Sequence, residues 1–195
     1  KFGRKFAVSV NLSAKQLMHP TLTADIDQVL VTTGLDADQL KLEVTESTVM
    51  EHSEKALKVP TELDSLGIDL STDDFGTGHS SLSYLQKFPF ERLKIDRSFI
   101  NLMVKDTKSA AIVKTILMLG ENLGISAVAE GVETVPQFEE LRRLGCKPGQ
   151  GYLFSPPVRV NDAESIPATG RDAFPIFHRR VLALSASPIE LAEVQ

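Results

Sequence analysis

The stretch IDLSTDDFGTGHSSLSYLQ, residues 68–86, contains one complete strand–turn–helix unit. Its first part, 68–72, is typical of a strand and runs into two adjacent carboxylates, Asp73 and Asp74. A glycine-rich turn follows, and 81–86 is typical of a short helix. A strand that leads through a turn into a helix is the repeating unit of parallel α/β folds. The stretch therefore predicts an α/β protein with two acidic side chains where a strand ends.

The alternation of strand and helix continues on both sides of this unit. Predicted strands cover 6–10, 40–45, 68–72, 92–95, 125–129 and 151–154. Predicted helices are a short one capped by Ser13 and those over 23–33, 53–66, 81–86, 108–123 and 134–144. Three glycines are expected to end helices, namely Gly34, Gly124 and Gly145. Pro60 is expected to kink or split the helix in which it lies.

Reactive side chains stand at the ends of five of the six predicted strands: Asn11, Glu43, Asp73 with Asp74, Lys94 with Asp96, and Glu130. Barrel enzymes place catalytic residues at the carboxyl ends of several strands, whereas an open sheet concentrates them at one switch point. Polar and apolar residues also alternate, because Ser71 and Asp73 share one strand face and Leu70 has the other. The sequence thus predicts an α/β fold of the TIM-like (β/α)8 barrel type. About six of its eight strands are expected in this chain and the first two before Lys1.

Composition excludes several classes of protein. The 195 residues are 42% hydrophobic and include 12 glycines, which is ordinary for a globular domain. No apolar run approaches the ~20 residues of a membrane span, and the net charge of −5 argues against non-specific binding to DNA or membranes. Cys146 is the only cysteine and the four histidines lack zinc-like spacing, so we expect neither a disulfide nor a zinc site. A reducing, cytoplasmic location follows.

The two ends of the chain give separate predictions. Residue 1 is lysine, and the basic start is followed by too short an apolar stretch for a signal peptide, so we expect an interior start. After Val158 the strand–helix alternation fades. We therefore assign 1–170 to the barrel and 171–195 to a C-terminal helix or tail.

The strand-end residues form an oxygen-rich donor set, which suits hard divalent cations. Its members are Asn11, Glu43, Asp73, Asp74, Glu130 and Glu133. Carboxylates that converge on one mouth repel one another unless metal ions neutralise them, an arrangement typical of phosphoesterases with two Mg²⁺ or Mn²⁺ ions. Lys94 either orients the attacking water or the phosphate, or it pairs with a neighbouring acid. For Asp69, Asp96 and Glu46 taken singly, a solvated charge, a helix cap or a salt bridge is the more typical role.

The glycines of residues 76–78 allow two interpretations. They let backbone amides approach a phosphate, or they make the turn a mobile lid over the metals. They do not match the nucleotide-binding glycine patterns. His79 and Cys146 are interpreted as structural residues.

Six strings of residues together resemble one family. They are NLS at Asn11, LEVTES around Glu43, DDFGTGHSSLSYL from Asp73, LKIDRSFI around Lys94, AEGVET from Glu130 and QGYLFSPPV from Gln150. In this order, over roughly residues 6–158, they resemble the EAL domain family, the cyclic di-GMP phosphodiesterases. The resemblance implies a modified eight-stranded barrel that binds two Mg²⁺ or Mn²⁺ ions and hydrolyses cyclic di-GMP to linear pGpG.

The resemblance also implies which residues hold the metals. Asn11, Glu43 and Asp73 resemble ligands of the first metal, with Asp73 bridging to the second. Asp74 and Glu130 resemble ligands of the second metal, and Glu130 is also implied as a base.

Other matching residues resemble the rest of the family's site. Lys94 resembles the lysine that holds the catalytic water, and Glu133 and Gln150 resemble residues that support the site. Glu46 is similar to the glutamate that steadies the loop 74–81, which the family uses to couple dimerisation to activity. A homodimer flanked by sensor or cyclase domains is the implied context, either free in the cytoplasm or as the cytoplasmic part of a membrane-attached protein.

One departure from the family pattern leaves alternatives open. The name-giving Glu-Ala-Leu motif, whose glutamate is a metal ligand in the family, is expected before Lys1, and His79 stands where a tyrosine is common. The first interpretation is an active phosphodiesterase. The second is a catalytically inactive cyclic di-GMP receptor or regulatory module, and a third, weaker one is an unrelated barrel enzyme with a lysine base and Mg²⁺ enolate chemistry.

Overall fold

The computed structural model describes residues 7–51, 58–78, 85 and 87–159. Within them, five strands form one sheet: β1 (Val8–Asn11), β2 (Leu40–Thr45), β3 (Asp69–Phe75), β4 (Phe90–Ile95) and β5 (Ser126–Ala129). Every neighbouring pair is parallel, and the strand order in the sheet is the order along the chain. A doubly wound sheet reverses its strand order at a switch point. The uninterrupted order therefore agrees with the barrel type predicted from the sequence.

Helices connect the strands. In the described residues they are α1 (Ala14–Leu17), α2 (Leu22–Thr33), α3 (Glu46–Glu51), α4 (Lys58–Ser65), α5 (Arg97–Leu102), α6 (Thr107–Leu123) and α7 (Val135–Arg143). A single 3₁₀ turn, Ala37–Gln39, precedes β2. Parallel neighbours need such crossovers because a tight turn cannot join the end of one strand to the start of the next. The predicted α/β class is confirmed.

Capping groups determine where several helices begin and end. Ser13 and Gln16 form reciprocal side chain to backbone hydrogen bonds at the start of α1, which confirms the predicted cap. Gly34 and Gly124 end α2 and α6 with φ of 67° and 71°. This left-handed conformation carries a steric cost for residues with a Cβ atom, so glycine is favoured at these two helix ends.

Two predicted helices fall partly outside the described residues. The helix predicted over 53–66 is described from Lys58, with Pro60 buried inside α4, and 53–57 lies outside. The helix predicted over 81–86 lies outside apart from Leu85, as does the predicted tail 171–195.

The sixth predicted strand, 151–154, is wrong. This segment is a turn, and the sheet is extended at this edge by an isolated parallel bridge between Ala129 and Gly149. The turn is hydrogen-bonded to the loop after β5. The Val132 amide donates to the Gln150 carbonyl, and the Leu153 amide donates to the Val132 carbonyl. With those backbone groups paired to a loop, the apolar run cannot continue as a strand.

The buried stripe of α6 also differs from the prediction. The sequence favours Ile112, Ile116, Leu119 and Leu123 as one apolar stripe, but Ile112 and Leu123 are 39% and 40% exposed. The buried residues are instead Ser109, Val113, Ile116 and Gly120. A Cβ atom on Gly120 would lie 2.6 Å from the Ile125 carbonyl oxygen, so the helix packs closely on the segment before β5 at this glycine.

A core of apolar side chains lies between the sheet and the helices. Leu93, Ile95 and Ile100 are fully buried in it. On the strands these side chains alternate with polar ones, so the other face of the sheet carries Ser71 and Lys94. No helix within the described residues is long and apolar enough to cross a membrane.

Candidate active site

Strand register brings the predicted site residues to one end of the sheet. Asn11 pairs with Glu43 across β1 and β2, and Thr45 pairs with Asp73 across β2 and β3. Lys94 lies near the end of β4, and Glu130 follows β5 directly. These are the carboxyl ends of parallel strands, which is where the barrel type carries its functional groups.

Lys94 lies at the centre of this group. Its Nζ atom donates to Glu43 Oε2 at 2.6 Å and to Asp73 Oδ1 at 3.0 Å, and it lies 2.6 Å from Glu130 Oε1. The Lys94 side chain is only 6% exposed. One buried ammonium group thus holds three carboxylates from three different elements together. The sequence left open whether Lys94 pairs with an acid, and the structure shows that it pairs with three.

The charges in this group shift the pKa of two members. Burial disfavours the Lys94 ammonium, but attraction to Glu130, Glu43 and Asp73 outweighs it and raises the pKa of Lys94 above its usual value. Desolvation raises the pKa of Glu130 to about 7, and the charge of Asp73 adds to this effect while Lys94 opposes it. Lys94 is therefore charged at neutral pH, and the pKa of Glu130 lies close to neutral pH.

Asp73 and Asp74 are consecutive, yet both take part in the site. Side chains of consecutive strand residues normally point to opposite faces. Here the β3–β4 register shifts between Thr72 and Phe75, and Asp74 has a left-handed φ of 54°. This local irregularity lets Asp73, Asp74 and Glu130 each offer a carboxylate oxygen within 4.8 Å of the others.

A hydrogen bond with Asp96 helps to raise the pKa of Asp74. Desolvation, the charge of Asp73 and this hydrogen bond raise the pKa of Asp74. Asp96 Oδ1 also accepts the Ser98 amide as the N-cap of α5, so the helix-cap interpretation of Asp96 describes one of its contacts. The sequence analysis missed the contact with Asp74, since nothing in the spacing of the two residues indicates it.

Gln150 reaches the group from the turn after Gly149. Its Nε2 atom donates to Glu130 Oε1 at 2.6 Å. Glu133 does not join the cluster, because its side chain is exposed and its described hydrogen bond is from its backbone amide to Gln137 Oε1 at 2.8 Å. The structure thus brings Gln150 into the group but not the Glu133 carboxylate.

Glu46 connects α3 to the turn after β3. It is buried at the first position of α3, and its Oε2 atom accepts the Gly76 amide at 3.1 Å. A Cβ atom on Gly78 would lie 3.2 Å from Glu46 Oε1, so the glycine allows the turn to pack against the carboxylate. Neither the solvated charge nor the salt bridge considered for Glu46 describes this contact with the turn.

A second ionic cluster lies nearer the strand starts. The Lys41 ammonium pairs with Asp69, and the Arg92 guanidinium lies 3.4 Å from Asp69 Oδ2. Glu91 also hydrogen-bonds Asp69. The salt-bridge interpretation of Asp69 is confirmed. The two clusters follow from the period-2 spacing of charged residues, 41 with 43 and 92 with 94, a signal that the sequence analysis used only in part.

The carboxylates of the group around Lys94 suit divalent metal ions. Asp73, Asp74 and Glu130 supply oxygen ligands, which Mg²⁺, Mn²⁺ and Ca²⁺ prefer. Within the described residues, no cysteine or histidine belongs to this group. A hard cation is therefore the kind of ion that these residues suit.

Sequence comparison identifies the family. The family model for the EAL domain matches residues 1–157, so the chain belongs to the EAL domain family, as its six motifs predict. The bifunctional diguanylate cyclase/cyclic di-GMP phosphodiesterase MucR of Pseudomonas aeruginosa is 46% identical over 151 residues, which are 77% of this chain and 22% of MucR. The chain spans about a fifth of the length of the curated relatives that it matches first.

Solved structures agree with this assignment. The MucR phosphodiesterase in complex with cyclic di-GMP has a TM-score of 0.77 and 44% identity, covering 80% of this chain and 64% of that one. The EAL domain of Mycobacterium smegmatis DcpA has a TM-score of 0.81 and 35% identity, covering 87% and 76%. Klebsiella pneumoniae BlrP1, solved with manganese and cyclic di-GMP, has a TM-score of 0.74 and 35% identity, covering 78% and 39%. The predicted fold type is confirmed.

Proposed function

We propose that this chain hydrolyses cyclic di-GMP to linear pGpG with two Mg²⁺ or Mn²⁺ ions. The observation that carries the proposal is the convergence of Glu43, Asp73, Asp74 and Glu130 around Lys94 at the carboxyl ends of the strands. MucR, a relative named as a cyclic di-GMP phosphodiesterase, supports the choice of substrate. BlrP1, solved with manganese and cyclic di-GMP, supports the choice of metal.

In this proposal the chain holds the metals with oxygen ligands. Asn11, Glu43 and Asp73 would hold the first ion. Asp74 and Glu130 would hold the second ion, with Asp73 shared between the two. When bound, the ions supply a water nucleophile at neutral pH and neutralise the charge on phosphate. The carboxylates otherwise repel the phosphodiester, so metal ions are required for the substrate to approach.

The remaining residues position the reacting groups or accept a proton. Lys94 donates a hydrogen bond to the attacking water or to a phosphate oxygen, and Glu130 accepts a proton from the water. Water adds across one P–O3′ bond, so the ring opens and a 5′-phosphate remains on the product. Gln150 fixes the Glu130 carboxylate through its 2.6 Å hydrogen bond. Glu133 supports the site, and Glu46 steadies the turn after β3 through the hydrogen bond that it accepts from the Gly76 amide.

Chromatography of reaction products tests the proposal. Purified chain is incubated with cyclic di-GMP and Mg²⁺ or Mn²⁺, and pGpG is the expected product. Asp73→Asn should abolish turnover and weaken Mn²⁺ binding measured by calorimetry, because it removes a charged ligand. Asp27→Asn is the matched control, since Asp27 is exposed on α2 away from the site. Equal turnover by Asp73→Asn and wild type would contradict the metal assignment.

The same experiment separates the receptor interpretation. Cyclic di-GMP binding without any pGpG, with either metal, would identify a receptor or regulatory module instead of an enzyme. The share of MucR that the chain covers, 22%, supports a role as one module of a longer signalling protein, with residues 1–170 as its barrel. A homodimer is the proposed assembly, and light scattering of the purified chain tests it.

A further inference from the structure

Gln137 is a buried polar side chain in the first turn of α7, outside the carboxylate group. It is 6% exposed, and its Oε1 atom accepts the backbone amides of Glu133 and Thr134, each at 2.8 Å. The Thr134 hydroxyl accepts the Gln137 amide in return, so these two residues form a capping box. A capping box needs only the bond to the Thr134 amide. The bond to Glu133 is additional and reaches back into the loop after β5.

That loop carries Glu130. At its start the Glu130 amide donates to the Ile95 carbonyl at 3.2 Å, and in its middle the Val132 amide donates to the Gln150 carbonyl at 3.0 Å. Gln137 is the acceptor for the last two amides before α7. The backbone from which the Glu130 side chain projects is therefore held at both ends, and one buried side chain holds the end that leads into the helix.

The same side chain connects the loop to α5. Gln137 Nε2 donates to Asn101 Oδ1 at 3.1 Å. One helical turn earlier on α5, a Cβ atom on Gly131 would lie 2.6 Å from Arg97 Cβ, so the loop lies directly against the start of that helix. Gly131 has a left-handed φ of 68°, which suits this close approach. The loop and α5 are thus in contact at two successive turns of the helix.

Helix α5 also has a link to the site. Its N-cap, Asp96, hydrogen-bonds Asp74. Gln137 therefore ties the loop that carries Glu130 to the helix whose first residues contact Asp74. Its own side-chain partners are two backbone amides and Asn101 rather than the carboxylates, so it can act on the site only through the elements that it joins.

We propose that Gln137 is a positioning residue, which holds Glu130 where it accepts a proton from the attacking water. The inference rests on the proposed function, because it gives Gln137 a part in the same reaction. A displacement of about 1 Å in a reacting group can cost about 100-fold in rate. Since Gln137 acts through Glu130 and not on the nucleotide, its loss should lower kcat and leave the KM for cyclic di-GMP nearly unchanged.

Steady-state kinetics at saturating Mn²⁺ test the inference. Gln137→Met keeps the size of the side chain but loses its hydrogen bonds, and it should lower kcat about 10- to 100-fold while KM changes less than about twofold. Gln137→Glu keeps an acceptor for the two backbone amides, and Asn101 can donate its own amide group to the carboxylate. This variant should restore kcat to within about threefold of wild type.

Two further variants separate positioning from stability. Asn101→Ala, at an exposed position of α5, removes one of the bonds to Gln137 and should lower kcat about 3- to 10-fold. Asp106→Ala is the matched control, because Asp106 caps α6 by accepting the Lys108 and Ser109 amides and lies outside the carboxylate group. It should lower the stability to urea without changing kcat.

Several results would overturn the inference, and they are distinguishable. A kcat for Gln137→Met within about twofold of wild type, or one no lower than that of Asp106→Ala, would show that Gln137 does not position Glu130. A Gln137→Glu variant as slow as Gln137→Met would show that the bonds to the loop are not the cause. If Gln137→Met does not fold, an unchanged kcat for Asn101→Ala decides against the inference. A wild-type chain without turnover would overturn the proposed function itself.

Discussion

Replacing Lys41 by methionine should destabilise the fold strongly. Lys41 is buried and pairs with Asp69, whose side chain is 18% exposed, so the substitution leaves a largely buried carboxylate without its main counter-ion. Removing one partner of a buried ion pair typically costs about 3–5 kcal/mol. Arg92 remains 3.4 Å from Asp69 and retains part of the attraction. We therefore expect a loss near the lower end, about 3 kcal/mol in the free energy of unfolding.

Urea unfolding followed by circular dichroism measures this loss. Lys58→Met is the matched control, because the Lys58 ammonium pairs with Glu62 at 3.3 Å but its side chain is 82% exposed. Such surface pairs contribute about 0.5 kcal/mol, so the control should stay close to wild type. Lys41→Met combined with Asp69→Asn should recover only part of the loss, because the double variant removes the unpaired carboxylate but also takes the Asp69 charge away from Arg92, whose side chain is 17% exposed. A Lys41→Met loss no larger than that of Lys58→Met would refute the reasoning.

Two further predictions concern α6 and the pH dependence of stability. Gly120→Ala should cost about 1–3 kcal/mol in urea unfolding, because its new methyl group would lie 2.6 Å from the Ile125 carbonyl oxygen, although Gly→Ala within a helix is otherwise favourable; equal or greater stability would contradict the close packing. Desolvation raises the pKa of Glu130 from 4.5 to about 7, so without metal its contribution to stability is complete below 4.5 and is lost as pH rises through 7. Glu130→Gln in EDTA should remove this decline, and an unchanged pH profile would show that Glu130 titrates normally.

The fold could be predicted from the sequence where one period dominated locally. Strands β2 and β3 and helix α2 follow directly from alternation, helical spacing and a terminal glycine. The segment 151–154 could not be assigned, because its backbone hydrogen bonds go to Val132, about 20 residues earlier in the chain. The buried face of α6 was missed because a glycine, not a large apolar residue, makes its closest contact.

The candidate site was predicted in part. Strand ends placed Glu43, Asp73 and Lys94 at one mouth because parallel strands end at the same edge. Local pattern did not show that Lys94 would contact three acids at once, since that depends on three crossovers of different length. The exposed position of Glu133 likewise depends on the path of a loop that has no period.

The matching order of strands in sequence and sheet has a consequence for synthesis on the ribosome. Each new strand can dock on the one made just before it, so the sheet can grow one strand at a time from β1 to β5. The acids Glu43 and Asp73 are synthesised first, on β2 and β3, and their carboxylates repel each other until β4 has been made. Lys94 arrives on the fourth strand as their counter-ion, and Glu130 completes the group once β5 has docked.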